Sequence, residues 1–400
     1  MTTPDWTAAR GQMMLDPTVT MLNTGSFGPT PVPVFEAANE FRKLLAMGPT
    51  NFFVRTLPPL LWDARTKTAN FLGTAPERFV FTSNVSAAIN LVVSGLRIDG
   101  PGEVLMTDHE YGSMVWCWER AAARQNLDVK TFPLPTMPRD PGVIVEAAVR
   151  AMTPRTKVFF FSHALSPTGM VLPAKELCAE ARRRGILTVV DGAHVPAMVA
   201  LNIDDVGADY YAGNCHKWLL APSGSGFVAV RDWDRHVEPL HVSWGYKTDA
   251  DPVPASGPDA RDAYGSTPRT RYLEFEGTKD VCPWLATPAA IAFQEALGWD
   301  AVRDRHAELA AYSRRVYDKL GLKLATPADR RMSGSMTACE LPPGVNVPAL
   351  RAKLWEHRIE IPVNERPDRM LLRISHHFYT TEAEIDRLAD VLPRALREVT

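Results

Sequence analysis

Cysteine is scarce and unorganised in this chain, with five residues in 400: Cys117, Cys178, Cys215, Cys282 and Cys339. No two make a CxxC pair and none stands at metal-ligand spacing from a histidine. Neither a disulfide framework nor a metal centre is expected, and reduced thiols in a cytoplasmic protein are the default. Long apolar runs are missing as well. Stretches such as residues 158–161 are far too short to span a bilayer, so no membrane partner is expected. The first ten residues contain Asp5 and no apolar h-region, so no secretory leader is expected. An excess of charge of one sign is also absent: 44 Lys and Arg stand against 46 Asp and Glu, a net charge of -2. No basic stripe recommends nucleic acid, and no like-charged run suggests a disordered tail. Low-complexity segments and internal repeats are not found.

What the chain has is apolar content, 46% of its residues. That is enough to bury a large core and build more than one domain. Strand-like and helix-like segments alternate from about residue 70 to 230. Residues 78–82, 103–107, 157–162, 186–191 and 226–230 read as strands. Residues 86–94, 114–125 and 174–184 read as helices, the last ending at Gly185 as a C-cap. The run 157–162 is continuously apolar, as in a strand covered on both faces. This alternation predicts an α/β fold with a mostly parallel sheet, whose ligands sit at the carboxyl ends of the strands. A Pro-, Gly- and Asp-rich stretch, 249–268, reads as a long surface loop. Beyond it come helices near 288–297 and 301–320, strands near 335–340 and 370–375, and helices at 347–357 and 381–396. This predicts a smaller α+β domain. Thr381 followed by Glu384 is a capping-box pattern at the start of the last helix.

A few residues stand out against this frame. Asp191-Gly192-Ala193-His194 closes a buried strand. Asp191 either caps a turn or faces a protonated ring nitrogen, because an acid there needs a positive partner. Lys217 lies in Asn214-Cys215-His216-Lys217-Trp218, framed by aromatic and apolar residues. A lysine is usually a solvated surface residue. Held indoors, it has its pKa lowered by desolvation, and the neutral amine is available for imine chemistry. A lysine downstream of an acid-terminated strand makes the pair more telling than either residue alone. Thr82-Ser83-Asn84-Val85-Ser86 joins a strand to a helix start, which is either a phosphate site or plain N-capping by Asn84 or Ser86. His109, in Asp108-His109-Glu110-Tyr111, either stacks on a flat heteroaromatic ring or is an ordinary loop histidine. Arg373, inside Leu371-Leu372-Arg373-Ile374-Ser375, needs an anion, which is either an internal acid or a substrate carboxylate.

With these residues assembled, the chain resembles the class V branch of fold-type I pyridoxal-phosphate enzymes, a group that includes cysteine desulfurases, kynureninases and isopenicillin N epimerases. The resemblance runs from Leu22-Asn23-Thr24-Gly25-Ser26-Phe27-Gly28 to Arg373 and is nearest to the epimerases. Further similar segments are Trp116-Cys117-Trp118-Glu119 and Glu276-Gly277-Thr278-Lys279-Asp280. The resemblance implies an N-terminal segment over 1–22, a large cofactor domain over 23–272 and a small domain over 273–400. It implies pyridoxal 5'-phosphate held as a Schiff base on Lys217, with Asp191 at the ring nitrogen and His109 stacked on the ring. His194 and Ser166 stand near the ring hydroxyl. Val85 (by its amide), Ser86, Asn214 and His216 hold the phosphate. Thr278 reaches the phosphate of a partner subunit, implying a homodimer with shared sites. Arg373 binds the substrate carboxylate, with Asn23 a further substrate contact; Arg55, at the end of Asn51-Phe52-Phe53-Val54-Arg55, either meets a second carboxylate, as on an aminoadipyl arm, or is a surface arginine. Cysteine desulfurases carry a nucleophilic cysteine shortly before that arginine. Residues 359–372 hold none here, which disfavours desulfurase chemistry. Ser166 replaces their asparagine, with Pro167 beside it.

The expected activity is epimerisation at the α-carbon of an amino acid or peptide, as on the aminoadipyl arm of isopenicillin N in antibiotic biosynthesis. Lys217 moves the α-proton, and His109, Tyr111 and His194 are the candidate acids opposite it. The competing readings are a C–S lyase, a decarboxylating or deaminating enzyme or an aminotransferase of a natural-product pathway, and outside enzymes a silent scaffold.

Overall fold

The structure is a computed structural model that describes residues 4–248 and 261–400. Most of the stretch read as a surface loop, 249–260, lies outside the described residues, and its far end, Pro268–Glu274, is a helix.

The strand–helix alternation builds a seven-stranded sheet. In chain order its strands are β1 (Phe79–Thr82), β2 (Gly102–Thr107), β3 (Leu127–Phe132), β4 (Thr156–Ser162), β5 (Leu187–Asp191), β6 (Tyr210–Asn214) and β7 (Gly226–Val230). They lie in the order β1-β7-β6-β5-β4-β2-β3. β7 runs antiparallel to β1 and β6, and the other neighbours are parallel. The parallel strands read as apolar runs because both faces are covered. Along β4, Phe159 and Phe161 enter one core while Val158 and Phe160 enter the other, the period of two of a strand. Each of these phenylalanines is fully buried, which contributes roughly 2–3 kcal/mol apiece.

Two strands of this sheet escape the sequence reading for physical reasons. β3 is an edge strand with exposed Asp128, Thr131 and Lys130 between its buried ends, so it carries no apolar run. β6 contains Gly213, a residue that weakens a strand signal. Glycine is needed there because the Phe227 ring would lie 2.6 Å from a Cβ. The helices Val32–Met47, Leu57–Leu72 and Pro141–Ala151 also go unread. The second begins Leu57-Pro58-Pro59, which looks like a breaker, yet proline at the first helical positions sacrifices no hydrogen bond. The helix Ala174–Arg183 ends as Gly185 suggests. With φ of 68° at Gly185, its N–H reaches the Arg182 carbonyl at 3.0 Å and the Ile186 N–H reaches Ala181 at 3.0 Å.

Toward the C-terminus, β8 (Met336–Glu340), β9 (Val363–Glu365) and β10 (Met370–Ser375) form an antiparallel sheet in the order β9-β10-β8. They share a core with the helices Trp299–Lys319, Val347–Glu356 and Glu382–Val399. Thr381 and Glu384 make the reciprocal capping box. Leu22 belongs to this core, Thr20–Met21 pairs with Ile359–Glu360, and Asn23 bridges to Ser375. The start of the chain is thus anchored near its end before it crosses toward the main sheet. Among the described residues no helix is long and apolar enough to cross a membrane.

Candidate active site

The carboxyl ends of β1, β4, β5 and β6 converge at one edge of the sheet. Thr82 of β1 and Asn214 of β6 both pair with Gly226 of β7. A Cβ at Gly226 would lie 2.6 Å from the Asn84 Cα, so glycine lets the helix start pack down on the strand. Asn84 caps the helix Val85–Gly95, its side chain accepting from the Ala87 N–H at 2.9 Å. The Val85 amide donates to Asn214 Oδ1 at 2.8 Å. That amide is therefore committed within the chain, whereas Ser86 next to it lines the cavity.

Asp191 ends β5 and is almost fully buried. Its Oδ1 accepts from the Ala193 N–H at 2.8 Å, so the turn-capping reading holds. It also lines the cavity. Burial raises its pKa, while the Ala193 N–H and Lys217 pull it back. From the end of β6 the chain runs to Lys217, whose Nζ lies 3.3 Å from His194 Nε2. Burial, aided by the Arg373 charge and opposed by Asp191, brings the Lys217 ammonium down to about 8. Burial, with Lys217 and Arg373 adding, holds His194 well below its ordinary value. His194 is thus a neutral partner, and its Nδ1 is buried with no partner among the described residues.

The N-terminal segment closes over these groups. The Gly28 N–H donates to the His216 carbonyl at 3.0 Å, and any side chain at Gly28 would collide with the Lys217 carbonyl. Gly25, Ser26 and Phe27 line the cavity as a result. Arg373, on β10, is buried next to Gly25. Its Nη1 donates to Ser166 Oγ at 3.1 Å and to the Ser166 carbonyl. It has no carboxylate partner among the described residues, and its Nε has no partner there either. Burial pulls it down to about 10. Ser375 Oγ and Asn23 Oδ1 are likewise buried and unpartnered, and a Cβ at Gly25 would lie 2.9 Å from both Arg373 Nη2 and Ser375 Oγ.

The result is a cavity of about 520 Å³ that brings together Val85, Ser86, Ser166, Asp191, His194, Asn214, His216 and Lys217. Arg373 adjoins it through Gly25 and Ser166, whereas Asn23 is not part of the lining and donates from Nδ2 to Glu360 at 2.9 Å. His109 is buried but is not part of the lining. Its Nδ1 meets Asp108 at 2.6 Å and its Nε2 meets Arg369 Nη2 at 3.2 Å. Arg55, exposed on the π-helical turn Phe52–Thr56, and Thr278, exposed after the helix Pro268–Glu274, stand apart from it. Glu110 is a buried acid that the sequence reading does not single out. It accepts from Thr107 Oγ1 at 2.5 Å and from Ser162 N–H and Oγ at 2.9 and 2.6 Å. Burial raises it to about 7, and Asp191 adds to the shift. Its signal is its place, an acid three residues beyond a buried strand. Ser375 carries no such signal. All five cysteines are buried, and none lines the cavity.

The arrangement can hold an aldehyde on an amine, set a carboxyl against a ring nitrogen, and offer a buried guanidinium to a carboxylate. Comparison with known proteins agrees. The family model for class V aminotransferases matches residues 30–388. Isopenicillin N epimerase of Streptomyces clavuligerus is 52% identical over 396 residues, covering 98% of each chain. Isopenicillin N epimerase of Amycolatopsis lactamdurans is 51% identical, covering 97% of this chain and 98% of its own. A variant of C-DES with glycine covalently linked to its pyridoxal phosphate cofactor superposes with a TM-score of 0.82 at 23% identity, over 98% of this chain and 99% of that one. At that identity the likeness shows the shared fold, the fold-type I arrangement of a large mostly parallel sheet and a smaller α+β part. Matched along most of its length, the chain belongs to the class V aminotransferase family.

Proposed function

We propose that this protein is a pyridoxal-phosphate-dependent epimerase acting on an amino-acid α-carbon, of the isopenicillin N type, in antibiotic biosynthesis. The observation that carries the reading is the meeting of Lys217 and Asp191 in one cavity beside an arginine with no acid partner among the described residues. The relatives at 52% and 51% identity narrow the reaction to epimerisation. The cavity fits the cofactor: it offers an amine held near neutrality, a buried carboxyl, and an orphaned His194 Nδ1. Ser86, Asn214 and His216 lie where its phosphate would be held, with Asp191 for the ring nitrogen and Lys217 for the aldehyde. When bound, pyridoxal phosphate supplies an electron sink for charge developing at the substrate's α-carbon.

The chain's own residues do the rest. Arg373, steered by Ser166, binds the substrate carboxylate. Lys217 Nζ, held near its working pKa by desolvation, takes the α-proton on one face. His194 is already engaged with Lys217, and His109 lies outside the lining, so Tyr111 is the remaining acid for the other face. It lines the cavity and is open to solvent. The same reading makes the enzyme a cytoplasmic homodimer, with exposed Thr278 serving the partner's phosphate.

The test is incubation with the amino-acid substrate in deuterated water. Epimerisation carries deuterium into the α-position of both isomers and releases neither a keto acid nor a thiol. Release of pyruvate or a sulfur product would overturn the reading. A Lys217→Ala variant is expected to lose both the exchange and the visible absorption of the holoenzyme.

A further inference from the structure

A second cavity, about 340 Å³, lies between the helix Trp299–Lys319 and residues 328–334. Arg303, Arg314, Arg330, His306 and Ser333 line it, and no acid is among the lining residues. Arg303 and Arg330 pair only with the exposed carboxylates Asp300 and Asp304, at 2.7 and 2.9 Å. Such exposed pairs are weak and yield readily to a better anion. Arg314 has a different character. Its Nη2 donates to the Pro327 carbonyl at 3.1 Å, and its Nε is buried with no partner among the described residues. Burial alone lowers its pKa, with no carboxylate acting on it. Arg314 is half-buried, and a guanidinium partly withdrawn from water with no acid partner among the described residues gains from an anion that joins it.

His306 supplies an independent observation. It is 2% exposed and lines the cavity, and neither ring nitrogen makes a well-formed hydrogen bond with a described residue. Burial, with His377, His376 and Arg303 adding and only the Met198 carbonyl opposing, holds its pKa well below the ordinary value, so the ring meets an anion as a neutral N–H donor. Its ring packs edge-on against His377 at 4.7 Å, and His377 Nε2 lies 2.9 Å from the carbonyl of Trp218, the residue after Lys217. The cavity is therefore separate from the one that holds Lys217 but joined to the same segment of chain.

We propose that this cavity binds a small oxyanion, a carboxylate, phosphate or sulfate group, gripped by Arg314 with Arg303, Arg330 and His306 around it. Arginine suits such a ligand because its fork donates two parallel hydrogen bonds.

The test titrates the purified holoenzyme with inorganic phosphate at constant ionic strength, read by calorimetry, while the cofactor's visible band reports on the other site. The expected result is saturable binding at one site per chain that leaves the band unchanged. Arg314→Met is expected to weaken it by about tenfold or more, the loss of one charge-assisted contact. If that variant does not fold, Arg330→Met, at an exposed position, is expected to weaken binding several-fold. No saturable binding, displacement of the cofactor instead, or unchanged affinity in the variant that folds would overturn the proposal. Parallel titrations with sulfate and glutarate separate a phosphate-type ligand from a carboxylate.

Discussion

Arg373 donates from Nη1 to Ser166 Oγ at 3.1 Å, while the Nε of the same guanidinium has no partner among the described residues. Ser166 thus aims the arginine and leaves part of its fork for a ligand. Ser166→Ala is expected to raise KM about five- to tenfold, the worth of one hydrogen bond to a charged group. The visible cofactor band should stay unchanged. Arg373→Met should raise KM at least about a hundredfold. Steady-state kinetics beside absorption spectra check both. A shifted band in Ser166→Ala would instead assign Ser166 to the cofactor.

Tyr111 and Lys217 line the same cavity, with Tyr111 55% exposed. If Tyr111 delivers the second proton, Tyr111→Phe separates two measurements. Interconversion of the isomers is expected to fall by about 10²–10⁴-fold, the usual worth of a general acid. Washout of the α-hydrogen from the isomer that Lys217 deprotonates should continue. Proton NMR in deuterated water reads both at once, and loss of both together would remove Tyr111 from its proposed role.

Arg65 and Glu274 form a two-pronged ion pair at 2.7 and 3.0 Å, with their side chains 0% and 5% exposed. Glu274 also accepts the Phe81 N–H of β1 at 2.7 Å, and Arg65 donates to the Phe79 carbonyl at 2.5 Å. Glu274→Ala leaves a buried cation alone and is expected to cost about 3–5 kcal/mol. Denaturant unfolding of the variant measures the loss. Asp280→Ala, whose pair with Arg42 is exposed, should cost about 1 kcal/mol or less.

Glu110 has its pKa raised from 4.5 to about 7 in the folded chain, first by burial. The folded state therefore holds this proton more tightly than the unfolded state. The stabilisation is complete below about pH 4.5 and is lost as the pH rises through about 7. Over that window Glu110 lowers stability by on the order of 3 kcal/mol at most. In Glu110→Gln the difference in melting temperature from the parent chain should narrow or reverse as pH rises from 4.5 to 7. Parallel curves would show that Glu110 does not titrate there.

The sheet and its cofactor-type chemistry are legible in the sequence where local chemistry is distinctive. Asp191 closes an apolar strand, and Lys217 stands among aromatic and apolar residues, so both carry their signal in a few positions. Gly25, Ser26 and Phe27 are harder to read. They reach the cavity because Leu22 is buried in a core made mainly from the last hundred residues, a contact that no local window shows. Asn23, in the same motif, turns instead to Glu360 at 2.9 Å. The Val85 amide shows the same limit, since its partner, Asn214, is a neighbour only through β7.

The order of residues by itself determined the alternation of buried strands and amphipathic helices, and with it an α/β sheet with an acid at a strand end and a lysine downstream of it. Period and hydrophobicity act over a few residues, so they can be read without a fold. Which of those strand ends meet was decided by tertiary structure alone. The sheet order brings residues 82, 191 and 214 to one end of the sheet, with β7 between 82 and 214, and the return of β10 brings an arginine with no acid partner among the described residues against Ser166. Such meetings depend on chain reversals over hundreds of residues, and the desolvation that shifts Lys217 and Glu110 exists only once they have happened.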